Sequence, residues 1–150
     1  MVKLSERTLY SERILPGFSF YLATLFLPAA VGLIALAFDV TLALYCSSLA
    51  EIVLIAITIA LAPRIIVTTN FLMVGNARIP RDKLSGNQAV AKESAFIERG
   101  QNLDPKAFIK FQIGVKGLVK VSLKDPEDPT PYWLFSSRHP ALVLQALETS

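Results

Sequence analysis

The chain's one histidine, His139, directly follows Ser136, Ser137 and Arg138. A hydroxyl beside an imidazole is the raw material of nucleophilic catalysis, but the base must be oriented by a third group. No residue at fixed spacing supplies that group. Pro140 after His139 instead reads as a helix start, where a missing N–H is harmless. Asp125, Glu127 and Asp128 are a second candidate, for a divalent metal. Three prolines among residues 125–131 and the lack of a loop glycine match no calcium loop, so a solvated turn is expected. There is no glycine-rich phosphate loop, no paired Cys or His and no RNA-binding aromatic signature. Nucleotide hydrolysis, zinc chemistry and nucleic-acid recognition are therefore poorly supported. The expectation is a protein that is not an enzyme, with no catalytic residue, metal or cofactor.

Glu51 is the more telling carboxylate. It sits near the midpoint of a long, mostly apolar run, where insertion of an acidic residue costs about 2.5–3.5 kcal/mol. Ser47 and Ser48 lie one turn away and Thr58 two turns the other way. The spacing predicts a polar seam between paired helices, with Glu51 protonated and hydrogen-bonded across it. An oligomer contact and a proton or ion pathway are the sharper alternatives. Lys106, Lys110, Lys116, Lys120 and Lys124 alternate with apolar residues over 106–124. That pattern predicts two neighbouring strands with one greasy and one basic face. The basic face is either solvated or set against anionic headgroups, at about 1 kcal/mol per residue near the surface. Tyr132 and Trp133 are adjacent on a strand, so one is expected in the core and the other outward, available to the bilayer interface or a partner.

The elements that position these residues follow from charge. Between Arg13 and Arg64 there is no Lys, Arg or His, and the only acids are Asp39 and Glu51. A bilayer's hydrocarbon core needs about 20 apolar helical residues to cross, so this interval holds two passes, 17–38 and 42–62, turning near Asp39. Pro28 is expected to kink the first. The chain is 53% apolar, and this stretch is its densest part. The positive charge lies wholly outside it, with twelve Lys and Arg against eight Asp and Glu from Arg64 onward. Positive flanks and an uncharged-to-acidic turn place both termini in the cytoplasm, with the hairpin in the plasma membrane. Ala35-Leu36-Ala37 resembles a signal-cleavage site. The apolar run is too long for a signal core, however, and acidic Glu6 and Glu12 precede it. Cys46 is alone within the second pass, so no disulfide framework is expected.

Three segments result: a cytoplasmic leader 1–15, a transmembrane hairpin 16–63 and a cytoplasmic module 64–150. Leu4, Tyr10 and Ile14 fall near helical spacing, which predicts a short interfacial helix in the leader. After Arg64, β-branched runs broken by Thr69-Asn70 and Gly75-Asn76 predict a meander. Leu84–Ala91 reads as a strand, Glu93–Arg99 as one or two helical turns ending at Gly100, and Tyr132–Arg138 as a last strand. An amphipathic helix from Pro140 closes the chain. Short antiparallel strands followed by one capping helix have the order of a pleckstrin-homology-like (PH-like) split barrel.

The motif Asp128-Pro129-Thr130-Pro131-Tyr132-Trp133, running into Ser136-Ser137-Arg138-His139-Pro140, resembles a family of uncharacterised actinobacterial membrane proteins. Tyr10-Ser11-Glu12-Arg13-Ile14 and Leu103–Phe108 add to the resemblance, which spans nearly the whole chain. It implies two spans and a PH-like domain, and no established activity. Family members carry Arg-Pro-Trp soon after the Asp-Pro-x-Ala-Phe stretch, whereas this chain reads Phe111-Gln112-Ile113-Gly114. Any role of that segment does not carry over. The expected partners are membrane lipid, a membrane protein or a second copy. The expected task is an interaction module on a membrane anchor, or an accessory subunit of a transport or envelope complex that uses Glu51.

Overall fold

The computed structural model describes residues 7–91, 93–125 and 128–149. The chain divides into two compact units. One is Leu15–Ala62; the other joins the residues up to Ile14 to those from Pro63 onward.

The first unit is the apolar hairpin. Helices α1 (Phe18–Thr24) and α2 (Phe26–Leu36) make one outward run, and α3 (Val40–Leu61) returns. Both runs are long and apolar enough to cross a membrane. The break at Leu25 lies where Pro28 predicts it. A proline has no N–H for the carbonyl four residues back, and its ring crowds that carbonyl. Asp39 caps α3, with Oδ1 accepting from the backbone N–H of Thr41 at 2.8 Å and of Leu42 at 3.0 Å. A short acceptor at this position satisfies donors that the first turn leaves free.

Among the described residues the second unit holds eight strands and two α-helices. β1 (Thr8–Arg13), β2 (Arg64–Thr68), β3 (Phe71–Val74) and β4 (Ala77–Pro80) form an antiparallel sheet in chain order. β1 is a correction: the expected leader helix is a strand over Thr8–Arg13, and Leu4 lies outside the described residues. Tyr10, Glu12 and Ile14 share its inward side, and the ladder pairs Glu12 with Ile65 and Arg13 with Arg64. The Ile14 N–H continues it to the Pro63 carbonyl at 2.9 Å. The hairpin is thus inserted between two neighbouring strands. The Thr68 hydroxyl accepts from Phe71 N–H at 3.1 Å in the β2–β3 turn. Gly75, at φ +62°, opens the β3–β4 turn in a conformation that a side chain rarely tolerates.

A 3₁₀ turn at Arg81–Lys83 leads to the second sheet: β5 (Leu84–Val90), β6 (Phe108–Lys110), β7 (Leu118–Leu123) and β8 (Tyr132–Ser136), ordered β5-β7-β8-β6. Helix α4 (Ala95–Arg99) lies between β5 and β6, and α5 (Pro140–Glu148) ends the unit. A second correction concerns the lysine-bearing strands. β6 and β7 are not neighbours; β8 separates them, and β6 runs parallel to β8. The sheets are otherwise antiparallel, as expected.

The main core joins Ile65, Val67, Leu72 and Val74 of the first sheet to Val119, Val121, Trp133 and Phe135 of the second. Val143, Ala146 and Leu147 of α5 complete it. A smaller cluster covers the other face of the second sheet, where Ala95, Leu103 and Phe111 pack on Leu118, Tyr132 and Leu134. β8 is consequently buried along its whole length. That explains its continuous apolar run, which a strand covered on one face only does not show.

Candidate functional site

The residues with chemical potential fall at three places. The first is a buried carboxylate that the sequence did not flag. Glu12, on β1, accepts from the Ser137 hydroxyl at 2.6 Å, the Arg138 backbone N–H at 2.8 Å and the Tyr10 hydroxyl at 3.0 Å. Ser137 in turn accepts from the His139 N–H at 3.1 Å, which shapes the approach to α5. The Ser136 hydroxyl accepts from Gln112 N–H at 3.1 Å. Both serine hydroxyls are fully buried and committed to these bonds, while His139 is exposed at the start of α5. The Ser137 proton thus points to Glu12, so this stretch builds a structural clasp. Burial first, and then donation to Glu12, push the Tyr10 phenol up to about 12. Tyr10 therefore remains a donor across the ordinary pH range. The two quoted motifs around Glu12 and around Ser136–Pro140 meet here, 125 residues apart in the chain.

The second place is the lysine set, which does not form one face. Lys106 lies in a turn before β6, and Lys116 and Lys124 are exposed in loops. Lys110 lays its stem over the Gly75 turn. Lys120 is engaged: it pairs with Glu98 at 2.8 Å and sits 4.3 Å from the centre of the Tyr132 ring. Tyr132 and Trp133 do point to opposite faces, but both are buried, which corrects the expectation of an outward aromatic. Trp133 stacks near Phe108 with ring centres 4.5 Å apart. The Tyr132 hydroxyl accepts from Asp104 N–H at 2.8 Å and donates to the Asn102 carbonyl at 3.1 Å. The second face is covered because the chain from Ala95 to Phe111 folds over it.

Donation by Lys120, and then by Asn102, holds the Glu98 carboxyl below its ordinary value of 4.5. A carboxylate lowered in the folded state adds stability that is fully present above its unfolded value. That stability is lost as pH falls through the folded one. Lys120→Met is expected to move the Glu98 titration back up and to flatten this acid-side dependence. Carboxyl chemical shifts followed against pH check it; an unmoved titration would show that Lys120 is not the cause.

In the Asp128-Pro129-Thr130-Pro131 segment, Asp128 accepts from Thr130 N–H at 2.9 Å and the Pro131 carbonyl accepts from Leu123 N–H at 3.1 Å. Asp125 pairs with Lys83. Among the described residues no three His, Cys, Asp or Glu gather as a metal site. Glu127 lies outside the described residues.

The third place is within the hairpin. Ser47 donates to the Leu44 carbonyl at 3.2 Å and Thr58 to the Leu54 carbonyl at 2.8 Å. These hydroxyls serve their own helix, so the expected seam across the helix pair is not formed by them. The helices instead approach closely at Gly32, where an added Cβ would lie 3.2 Å from the Ser47 Cβ. Glu51 Oε2 is shielded from solvent and has no hydrogen-bond partner. It borders a groove of about 560 Å³ lined by Pro28, Ala29, Ser47, Ser48 and Ile52.

An apolar helical hairpin inserted between two paired strands of a two-sheet domain, with a buried glutamate joining leader to last helix, defines an architecture more than a reaction. The chain belongs to the family described as "Protein of unknown function (DUF3093)", whose model matches residues 9–147. No curated protein and no solved structure matches it.

Proposed function

We propose that this is a non-enzymatic integral membrane protein of the actinobacterial kind that the resemblance implies. Its hairpin crosses the plasma membrane twice and its PH-like domain is presented in the cytoplasm for interaction. The observation that carries this reading is the pairing of β1 with β2. Two flanks held in one ladder, Arg13 opposite Arg64, cannot lie on opposite faces of a bilayer. Both flanks are basic, which favours the cytoplasm. A four-stranded meander, a second sheet and a C-terminal helix packed on the core support the PH-like description; the parallel β6–β8 pair is its departure. The scattered lysines weigh for a protein partner over anionic lipid.

Cysteine labelling in a Cys46→Ala background tests the topology. An impermeant maleimide is expected to label Phe38→Cys in intact cells and Lys116→Cys only after permeabilisation. The reverse pattern would overturn the reading. A second reading, an accessory subunit of a transport or envelope complex, is favoured by one observation: the unpartnered Glu51 oxygen beside an open groove.

A further inference from the structure

We infer that β5 is the contact between two copies of this chain, paired edge to edge about a two-fold axis at Gln88. The inference rests on the interaction reading above and deepens it by naming the partner and the surface. β5 is the longest strand among the described residues, at seven residues, and it pairs with β7 on one side and with no strand on the other. Alternate backbone N–H and C=O groups of such a strand point away from the sheet and template pairing with another strand.

The four sheet edges differ in how they are guarded. β1 carries Glu12 and Arg13, β4 carries Arg78 and Pro80, and β6 is three residues long with Lys110. Charge, proline and shortness are the usual means of blocking an edge. β5 has neither charge nor proline. Ser85, Gly86, Gln88 and Ala89 are exposed, and a Cβ added at Gly86 meets nothing within 4 Å. The strand's one irregularity lies between Leu84 and Gly86; from Gly86 to Val90 it runs in register with β7.

The chemistry selects a second copy, because the regular part of the edge is complementary to itself. Antiparallel pairing of Gly86–Val90 with its own copy sets Gln88 opposite Gln88 and Asn87 opposite Ala89. A glutamine amide both donates and accepts, so two facing copies satisfy each other. Gly86 and Ala89 add no bulk that would hold the backbones apart. Identical edges without charge also meet without the like-charge repulsion that cross-strand pairs otherwise suffer. A surface that pairs with itself about a two-fold is the commonest form of assembly.

The test uses the full chain, in native membranes and purified in mild detergent. Sedimentation should give a dimer for the wild type. Gln88→Lys and Gln88→Glu each set like charges opposite one another and should weaken it about fivefold or more. Mixed together, the two variants should recover it, because opposite charges then face each other. Trp133 fluorescence on melting shows that each variant is folded. In a Cys46→Ala background, Gln88→Cys should form an interchain disulfide on oxidation. A wild type that is monomeric throughout, or charge variants that dimerise as tightly as the wild type, would overturn the inference. So would a mixture no tighter than either variant alone, or disulfides only to a different protein. Alkaline carbonate tests the membrane reading separately. A released chain that still dimerises removes insertion alone, whereas a retained monomer removes the β5 contact alone.

Discussion

Glu12→Ala is expected to destabilise the two-sheet domain by about 3 kcal/mol, roughly a 15 °C fall in its melting temperature. The carboxylate is buried and receives three donors, from Tyr10, Ser137 and Arg138. Hydrogen bonds to a charged group contribute about 1.5–3 kcal/mol each, and their loss strands buried donors. The damage should be specific. Tyr10→Phe removes one donor and should cost about 1 kcal/mol, while Glu12→Gln keeps shape and one acceptor and should fall between the two. Fluorescence of Trp133 reads the result cleanly, because it is the only tryptophan and lies in the main core. A Glu12→Ala chain that melts with the wild type would dismiss the clasp as incidental.

Gly117→Ala is expected to cost about 3 kcal/mol, at the upper end for overpacking. Gly117 precedes β7, and its carbonyl accepts from Ser137 N–H at 3.0 Å. A Cβ there would press into the Ser137 carbonyl oxygen and approach Pro140 Cγ to 2.8 Å. Neither neighbour can rotate away, since one is backbone and the other a ring at the start of α5. The comparison is Gly86→Ala, where an added Cβ meets nothing within 4 Å. That change should stay within about 0.5 kcal/mol. Equal losses at the two glycines would show that general backbone freedom, not the close approach, sets the cost.

Glu12 and Gly117 belong to one junction, which couples the strand before the hairpin to the last helix. Arg81 makes a matching tie at the other end of α5, donating to the carbonyls of Leu147 and Thr149 and to Thr68 at 3.2 Å. A cation at a helix C-terminus also meets its negative dipole end. The conspicuous motif Ser136–Pro140 is thereby explained as architecture: the Ser137 hydroxyl and the Arg138 N–H hold Glu12 of β1, and the Ser136 hydroxyl holds Gln112. A fragment beginning at Arg64 would lack β1 and leave β2 as an open edge, so binding experiments need the full chain.

Much of this was legible in local pattern. The absence of basic residues between Arg13 and Arg64 outlined the two apolar runs, and Pro28 and Asp39 marked the break and the turn. Gly75-Asn76 announced a hairpin turn, and Pro140 the start of α5. β1 was not legible, because the middle member of its inward set, Tyr10, Glu12 and Ile14, is acidic and disguises the alternation. The lysine set misled for a related reason. Alternation over 106–124 reports which residues share a strand side, and says nothing of which strand lies beside which.

The amino-acid sequence alone determined the apolar hairpin, the order of strands and helices after it, and the basic flanks. Each of these depends on neighbours within a few residues. The tertiary structure alone decided that the leader is a strand, that β8 separates β6 from β7, and that both sheet faces bearing Tyr132 and Trp133 are covered. It alone brought Glu12 to Ser137. Those outcomes depend on pairings and burial between distant segments, whose free energy belongs to the assembled core and leaves no short-range trace.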